Sequence, residues 1–169
     1  MMRFLVRREP NFGMTNKNMT NEELKLFTTE QFPFLIIEEG NEWLTYYVEA
    51  DEWKTLAHQL RNHTSLQFDF LFCLTCVDWK THLTMVYHLT STTFKHTVVI
   101  KSKLNREKPE IETVCDIWRT AEFHEREVYD LFGVQFLNHP DLRRLLLTDD
   151  WKGYPLLKDY DDPINMIKL

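Results

Sequence analysis

The chain reads as an α+β protein, a two-layer sandwich with helices against one face of a mixed or antiparallel sheet. Three observations predict this. Three segments alternate apolar and polar residues with period two, the mark of strands with one packed face: Leu66, Phe68, Phe70 and Phe72; Leu83, Met85, Tyr87 and Leu89; Val98 and Ile100. A fourth segment carries Trp53, Leu56, Ala57 and Leu60, the spacing of a helix with one buried stripe. The order of elements, an α-β-β-α-β-β-β core followed by two helices and an extended C-terminal tail, gives the helices a sheet to cover.

Taken in order, residues 1–18 lack any periodicity and read as a disordered arm or start-site extension. Thr20-Asn-Glu-Glu23 opens a helix over residues 20–31 as a capping box, with Leu24 and Phe27 on one face. Phe34 to Glu38 is a short strand, Gly40-Asn41 a turn signal, and Trp43 to Val48 a second strand rich in aromatic and β-branched residues. Asp51 is placed to cap the helix that runs to about His63. After the three alternating strands, Pro109 suits the first turn of a helix carrying Ile111, Val114 and Ile117. Thr120 is placed to cap a last helix, Ala121 to Phe132, and Gly133 to stop it. The predicted organisation is one domain over residues 19–147, then a docking tail over residues 148–169.

Composition narrows the function. A chain of 169 residues with 43% hydrophobic and 27% charged residues is an ordinary globular protein. Net charge is −6 and no basic run exceeds two residues, which argues against a nucleic-acid partner. Three cysteines suit a reducing compartment rather than a disulfide framework. The longest apolar stretch, Phe70 to Val77, is broken by Thr75 and falls far short of the ~20 residues of a spanning helix. Work at a membrane would therefore go through partners. With four glycines in all there is no Gly-rich phosphate loop, no dinucleotide fingerprint and no cysteine set for an iron–sulfur cluster. A chain so equipped is expected to hold no cofactor.

The richest chemistry lies between residues 125 and 146. Stepped at 100° per residue, the last helix gathers Ala121, Val128 and Phe132 on one side, and Glu125 falls inside that apolar wedge. A carboxylate there needs a partner or a proton, and Arg143 or Arg144, returning after the Gly133–Pro140 loop, is the expected partner. The ion-pair reading is preferred to a proton-transfer role, since no second acid or nucleophile is placed with Glu125. Arg126 and Asp130 are four apart and can pair; Glu127 and Phe123 point away. Pro140 restricts His139 to extended geometry, which reads as a loop anchor.

Other candidates carry less. Cys73-Leu-Thr-Cys76 spells C-x-x-C, but on a strand a spacing of three sends the side chains to opposite faces, so ordinary half-buried cysteines are preferred to a redox pair. His82 and His88 sit on a strand's polar face as candidate surface-metal residues, more simply solvated. The tail carries Trp151, Tyr154, Lys158, Asp159 and Tyr160 among Gly and Pro breakers; its first half fits its own domain or a partner, its second half a partner.

Glu125-Arg126-Glu127, two residues, Asp130-Leu131-Phe132, six residues, His139, three residues, Arg143, one residue, Leu145-Leu146 resembles the signature of the 30 kDa subunit family of respiratory complex I (the C subunit of NADH-quinone oxidoreductase). Trp118-x-x-Ala121 and Gly153-Tyr154-Pro155-Leu156-x-Lys158-Asp159-Tyr160 extend the resemblance over about residues 20–162, with one departure: Leu157 stands where the family commonly has an arginine, which puts an ion pair there in doubt. The resemblance implies a cofactor-free accessory subunit in the peripheral arm of a proton-translocating NADH-quinone oxidoreductase. It implies catalytic, cofactor and metal residues in other subunits, which hold FMN and iron–sulfur clusters. It implies the hydrogenase-large-subunit-like 49 kDa subunit as chief partner, and attachment to the cytoplasmic side of the inner membrane through the complex. The alternatives are the matching subunit of a membrane-bound hydrogenase or other donor:quinone oxidoreductase, a C-x-x-C redox domain and a free-standing binding module.

Overall fold

The structure is a computed structural model and describes residues 19–40 and 42–162. The predicted arm, residues 1–18, the end of the tail and Asn41 of the turn signal lie outside the described residues. Among those described, the elements run α1 (Asn21–Gln31), β1 (Ile36–Glu38), β2 (Leu44–Val48), α2 (Trp53–Asn62), β3 (Phe70–Asp78), β4 (His82–Thr90), β5 (Thr97–Asn105), β6 (Glu110–Glu112), α3 (Ala121–Phe132) and β7 (Gln135–Leu137). The five-stranded sheet has the order β1-β2-β5-β4-β3. It is mixed, because β2 runs parallel to β5 while every other neighbour is antiparallel. The α+β class with a mixed sheet is thus the observed one.

Local chemistry explains most boundaries. The Thr20 hydroxyl accepts from the Glu23 amide while the Glu23 carboxylate accepts from the Thr20 amide, a complete capping box. Trp53, Leu56, Ala57 and Leu60 bury the whole stripe of α2 against the alternate residues Leu83, Met85, Tyr87 and Leu89 of β4 and Val98, Ile100 and Leu104 of β5. Each large side chain so buried contributes about 1.5–3 kcal/mol. Gly133 stops α3 at φ +81°, with its amide on the Tyr129 carbonyl. Two predicted caps are absent. Glu52, not Asp51, precedes α2 and gives no side-chain cap. The Thr120 hydroxyl donates instead to the Leu71 carbonyl at 2.7 Å, tying α3 to β3.

Two predicted elements differ. The alternation from Leu66 to Phe72 is not one strand, since β3 starts at Phe70. Gln67 takes φ +44°. Around it the Leu66 carbonyl meets the His96 ring at 2.8 Å, the Phe68 amide donates to Leu60 and the Phe68 carbonyl accepts from the Trp118 indole. Leu66 and Phe68 are buried, but their backbone groups are taken by side chains and α2 rather than by a neighbouring strand. A bulge between Leu71 and Cys73 then resets the faces of β3. The helix predicted after Pro109 is β6, which pairs parallel with β7. Ile111, Val114 and Ile117 are all buried as their spacing suggests. A short strand followed by a turn, closed by the Ile117 and Trp118 amides on the Val114 carbonyl, buries them as well as a helix would.

Candidate functional site

The signature residues converge where α3 meets the β6–α3 loop, β7 and the chain that follows. Glu125 is fully buried. One of its carboxyl oxygens accepts the Thr113 hydroxyl and the other accepts the Val114 amide at 2.8 Å. Burial pushes this carboxyl up to about 7, against those two hydrogen bonds, which lower it.

The expected pairing of Glu125 with Arg143 or Arg144 does not form. Arg143 is 70% exposed and pairs with Asp141 at 2.9 Å, and Arg144 meets Asp130 at 2.8 Å. The reason is helical geometry. Asp130 lies ~140° round α3 from Glu125, so the two acids face different segments, Glu125 the 113–114 loop and Asp130 the 144–147 loop. With one donor on each oxygen and its pKa raised by burial, the Glu125 carboxyl is satisfied without an arginine.

Asp130 is the charged centre instead, and it too is fully buried. Its Oδ2 accepts the amides of Leu145 (3.0 Å), Leu146 (2.7 Å) and Leu147 (2.9 Å), while Arg144 donates to Oδ1 and to the Asp130 carbonyl. Three consecutive amides on one oxygen form an anion nest filled by the protein's own side chain. Burial alone would raise this carboxyl, but the Leu147 amide, the Arg144 guanidinium and the other two amides outweigh it and hold it low. Arg126 does not pair with Asp130. Its buried guanidinium donates to the carbonyls of Arg143 and Arg144 and approaches Asp141 at 3.8 Å. Glu127 is exposed, Leu131 and Phe132 are half-buried, and Leu145 and Leu146 are exposed.

His139 anchors its loop to the start of α3. Its Nδ1 accepts the Asp141 amide at 3.1 Å, so Nε2 carries the proton and donates to the Glu122 carbonyl at 3.2 Å. Cys115, Glu125 and His139 bring one donor atom each within 4.8 Å of one another, a cluster the sequence does not reveal because Cys115 stands alone in it. With both His139 nitrogens engaged, no ring lone pair faces the cluster, and burial pushes the Cys115 thiol up. The arrangement suits a shared hydrogen-bonded core better than a metal.

The tail is fastened to the domain by a third buried acid, Asp78 at the end of β3. Its carboxylate takes a two-bond fork from Arg106 at 3.0 Å and the amides of Lys158 and Lys80. The Arg106 guanidinium beside it holds that carboxyl well below the usual carboxylate range. Arg106 also grips Asp159, so the ion pair put in doubt by Leu157 is supplied from β5's far end, while Leu157 packs on the core. Tyr154 lies over Gly133, where a Cβ would fall 2.5 Å from the ring. Trp151 is half-buried, with its carbonyl on Arg144, and Tyr160 packs against Gly153. The predicted interface residues Trp151, Tyr154, Lys158, Asp159 and Tyr160 thus contact their own domain, and the boundary at residue 147 cuts through one packed unit.

The C-x-x-C reading finds no redox geometry. Cys73 and Cys76 are free thiols on β3. Burial pushes Cys76 up to about 12 and raises Cys73, leaving neither as a ready thiolate. His82 and His88 are six strand residues apart, ~20 Å, too far to share an ion. No described helix is long and apolar enough to cross a membrane.

A family model described as "Respiratory-chain NADH dehydrogenase, 30 Kd subunit" matches residues 46–164. The chain is 46% identical over 124 residues to the C/D subunit of NADH-quinone oxidoreductase from Phocaeicola vulgatus, covering 72% of this chain and 24% of that protein. It is 45% identical over 113 residues to the C subunit of NADH-quinone oxidoreductase from Chloroherpeton thalassium, covering 66% and 47%. It therefore spans about a quarter to a half of these relatives. The C subunit of F(420)H(2) dehydrogenase from Methanosarcina mazei is 40% identical over 139 residues, covering 79% and 87%. Among solved structures, a chain of the archaeal membrane-bound sulfane sulfur reductase superposes with TM-score 0.72 at 28% identity, covering 83% of this chain and 85% of that one. The trypsin-resistant fragment of Nqo5 superposes with TM-score 0.61 at 28% identity, covering 73% and 100%. Fold, signature spacing and sequence agree that this chain belongs to the family of the 30 kDa subunit of respiratory-chain NADH dehydrogenase.

Proposed function

We propose that this chain is a cofactor-free accessory subunit in the peripheral arm of a proton-translocating NADH-quinone oxidoreductase, and that it braces an electron path held by its neighbours. That path runs from NADH through FMN and iron–sulfur clusters to a quinone. The observation that carries the reading is the use made of the signature residues. Glu125, Arg126, Asp130 and His139 are all committed to holding the loops around α3 in place. The chief partner in this reading is the 49 kDa, hydrogenase-large-subunit-like subunit. The C/D designation of the Phocaeicola vulgatus relative, of whose length this chain covers 24%, supports a D-type subunit as the neighbour. The complex holds the chain on the cytoplasmic side of the inner membrane.

The test is native purification through a tag on the full chain from gently solubilised membranes. A D-type subunit, flavin and iron should accompany it. After dissociation the chain itself should carry no stoichiometric flavin, iron or acid-labile sulfide. A tagged chain that comes away alone would sink the reading. A second reading, a related complex with another donor, is favoured by the Methanosarcina mazei relative, most of whose length this chain covers. Reduction of quinone by those membranes with NADH, against F(420)H(2), separates the two.

A further inference from the structure

Leu145 and Leu146 are 37% and 63% exposed, yet the segment that carries them is among the most heavily fixed in the molecule. Asp130 binds three of its successive amides, Arg144 closes over the other carboxylate oxygen, and Arg126 holds the carbonyls of Arg143 and Arg144. A buried carboxylate and a buried guanidinium are costly groups. Here both serve one loop, and that loop leaves two of its three leucines in water. Such rigidity does little for the domain's own core. It does a great deal for association, because a pre-ordered surface loses little conformational entropy on binding. Arg126 also lies 5.8 Å from the centre of the Phe123 ring, a further exposed apolar group.

The flanking charge defines the partner. Asp149 and Asp150 follow at once, both exposed, on a turn closed by the Trp151 amide and the Thr148 carbonyl at 3.0 Å. Both arginines of the segment are paired with acids, Arg143 with Asp141 beside it and Arg144 with Asp130 on α3. The surface is therefore an apolar centre with an acidic edge. We infer that the Leu145–Leu146 loop is a docking surface for a neighbouring subunit that offers an apolar recess bordered by lysine or arginine. The inference rests on the proposed role as a complex subunit, and it places the leading contact on the signature loop rather than on the tail. Exposed leucines fill the recess, the basic rim meets Asp149 and Asp150, and the Asp130 nest keeps both in register.

The experiment uses the tagged full chain expressed with the remaining subunits, and measures D-type subunit per tagged chain by quantitative mass spectrometry. Wild type that retrieves none defeats the complex-subunit reading itself. With wild type retrieving its partner, Leu145→Asp with Leu146→Asp should lower the yield at least about tenfold, as loss of a true hot spot does. Its urea midpoint should stay near wild type. Leu26→Asp, on an exposed leucine of α1 with no such scaffold, should keep full yield. Asp149→Lys with Asp150→Lys should lower the yield several-fold, most at low salt. If the double leucine variant melts early, Leu146→Asn, a change at one exposed side chain, decides in its place. Full yield from the leucine variants overturns the docking surface. Full yield from the lysine variant, with loss from the leucine variants, overturns the basic rim.

Discussion

Replacing Glu125 with glutamine should change how stability depends on pH more than stability itself. In the folded chain the carboxyl keeps its proton up to about pH 7, against an ordinary value of 4.5. Between those values the folded state holds a proton that the unfolded state has released. Stability therefore falls as pH rises through the window, and the loss is complete above it. A shift of this size corresponds to about 3 kcal/mol in all. About 2 kcal/mol of that falls between roughly pH 5.5 and 8. The amide side chain of Glu125→Gln has no proton to lose and still offers an oxygen to the Val114 amide. Burial lowers the pKa of His63, His88 and His96, so each makes stability rise with pH in the same range. They do so in both proteins and cancel in the difference. Urea unfolding of the full chain, followed by the fluorescence of buried Trp53 and Trp118, gives ΔG at each pH. Wild type should lose about 2 kcal/mol more than Glu125→Gln on going from roughly pH 5.5 to 8. Parallel curves would show that Glu125 is already charged when folded, and would refute the argument.

Asp78→Asn weakens the Arg106 fork and the Lys158 amide contact, at a cost of up to about 3 kcal/mol. Limited proteolysis should then cut faster within residues 148–162, and the wild-type tail should open as pH falls through the depressed Asp78 value, because a lowered carboxyl stabilises only while ionised. For the cysteines, iodoacetamide near neutral pH should modify Cys76 only after unfolding and Cys73 slowly; rapid paired loss of both thiols to a disulfide would restore the redox reading.

Much of the sheet is legible in the sequence because period two survives in Leu83–Leu89 and in Val98 and Ile100, where every ladder partner is backbone. The stripe of α2 and the stop at Gly133 are legible for the same reason, since each is a local rule acting alone. Burial patterns mislead where the buried group's partner decides the outcome. Ile111, Val114 and Ile117 keep helical spacing, yet the Pro109 carbonyl and Ile111 find β7 and make a strand. The place of Glu125 in an apolar wedge can be read from spacing along one helix. That spacing does not reveal that Thr113 and Val114, twelve and eleven residues earlier, supply its donors. Asp130 is legible as a signature residue and not as the centre of a nest, because its ligands are backbone amides that any sequence carries. The tail's aromatic residues are legible as anchors. That Tyr154 needs the bare Cα of Gly133 beneath it depends on a close approach no spacing encodes.

The parallel pairing of β2 with β5 has a consequence for the order of folding. Leu44 finds Val98 and Val48 finds Ser102, while β3, β4 and β5 form a meander of near neighbours between and beside them. The meander closes short loops and can form first, whereas β2 must wait for a chain segment more distant than any other strand partner. On a ribosome, α1, β1 and β2 emerge early with Leu24, Tyr46 and Val48 unburied, and have no seat until β5 has been synthesised. The N-terminal third is made first and completed late, so the period between is when this chain most needs protection from aggregation.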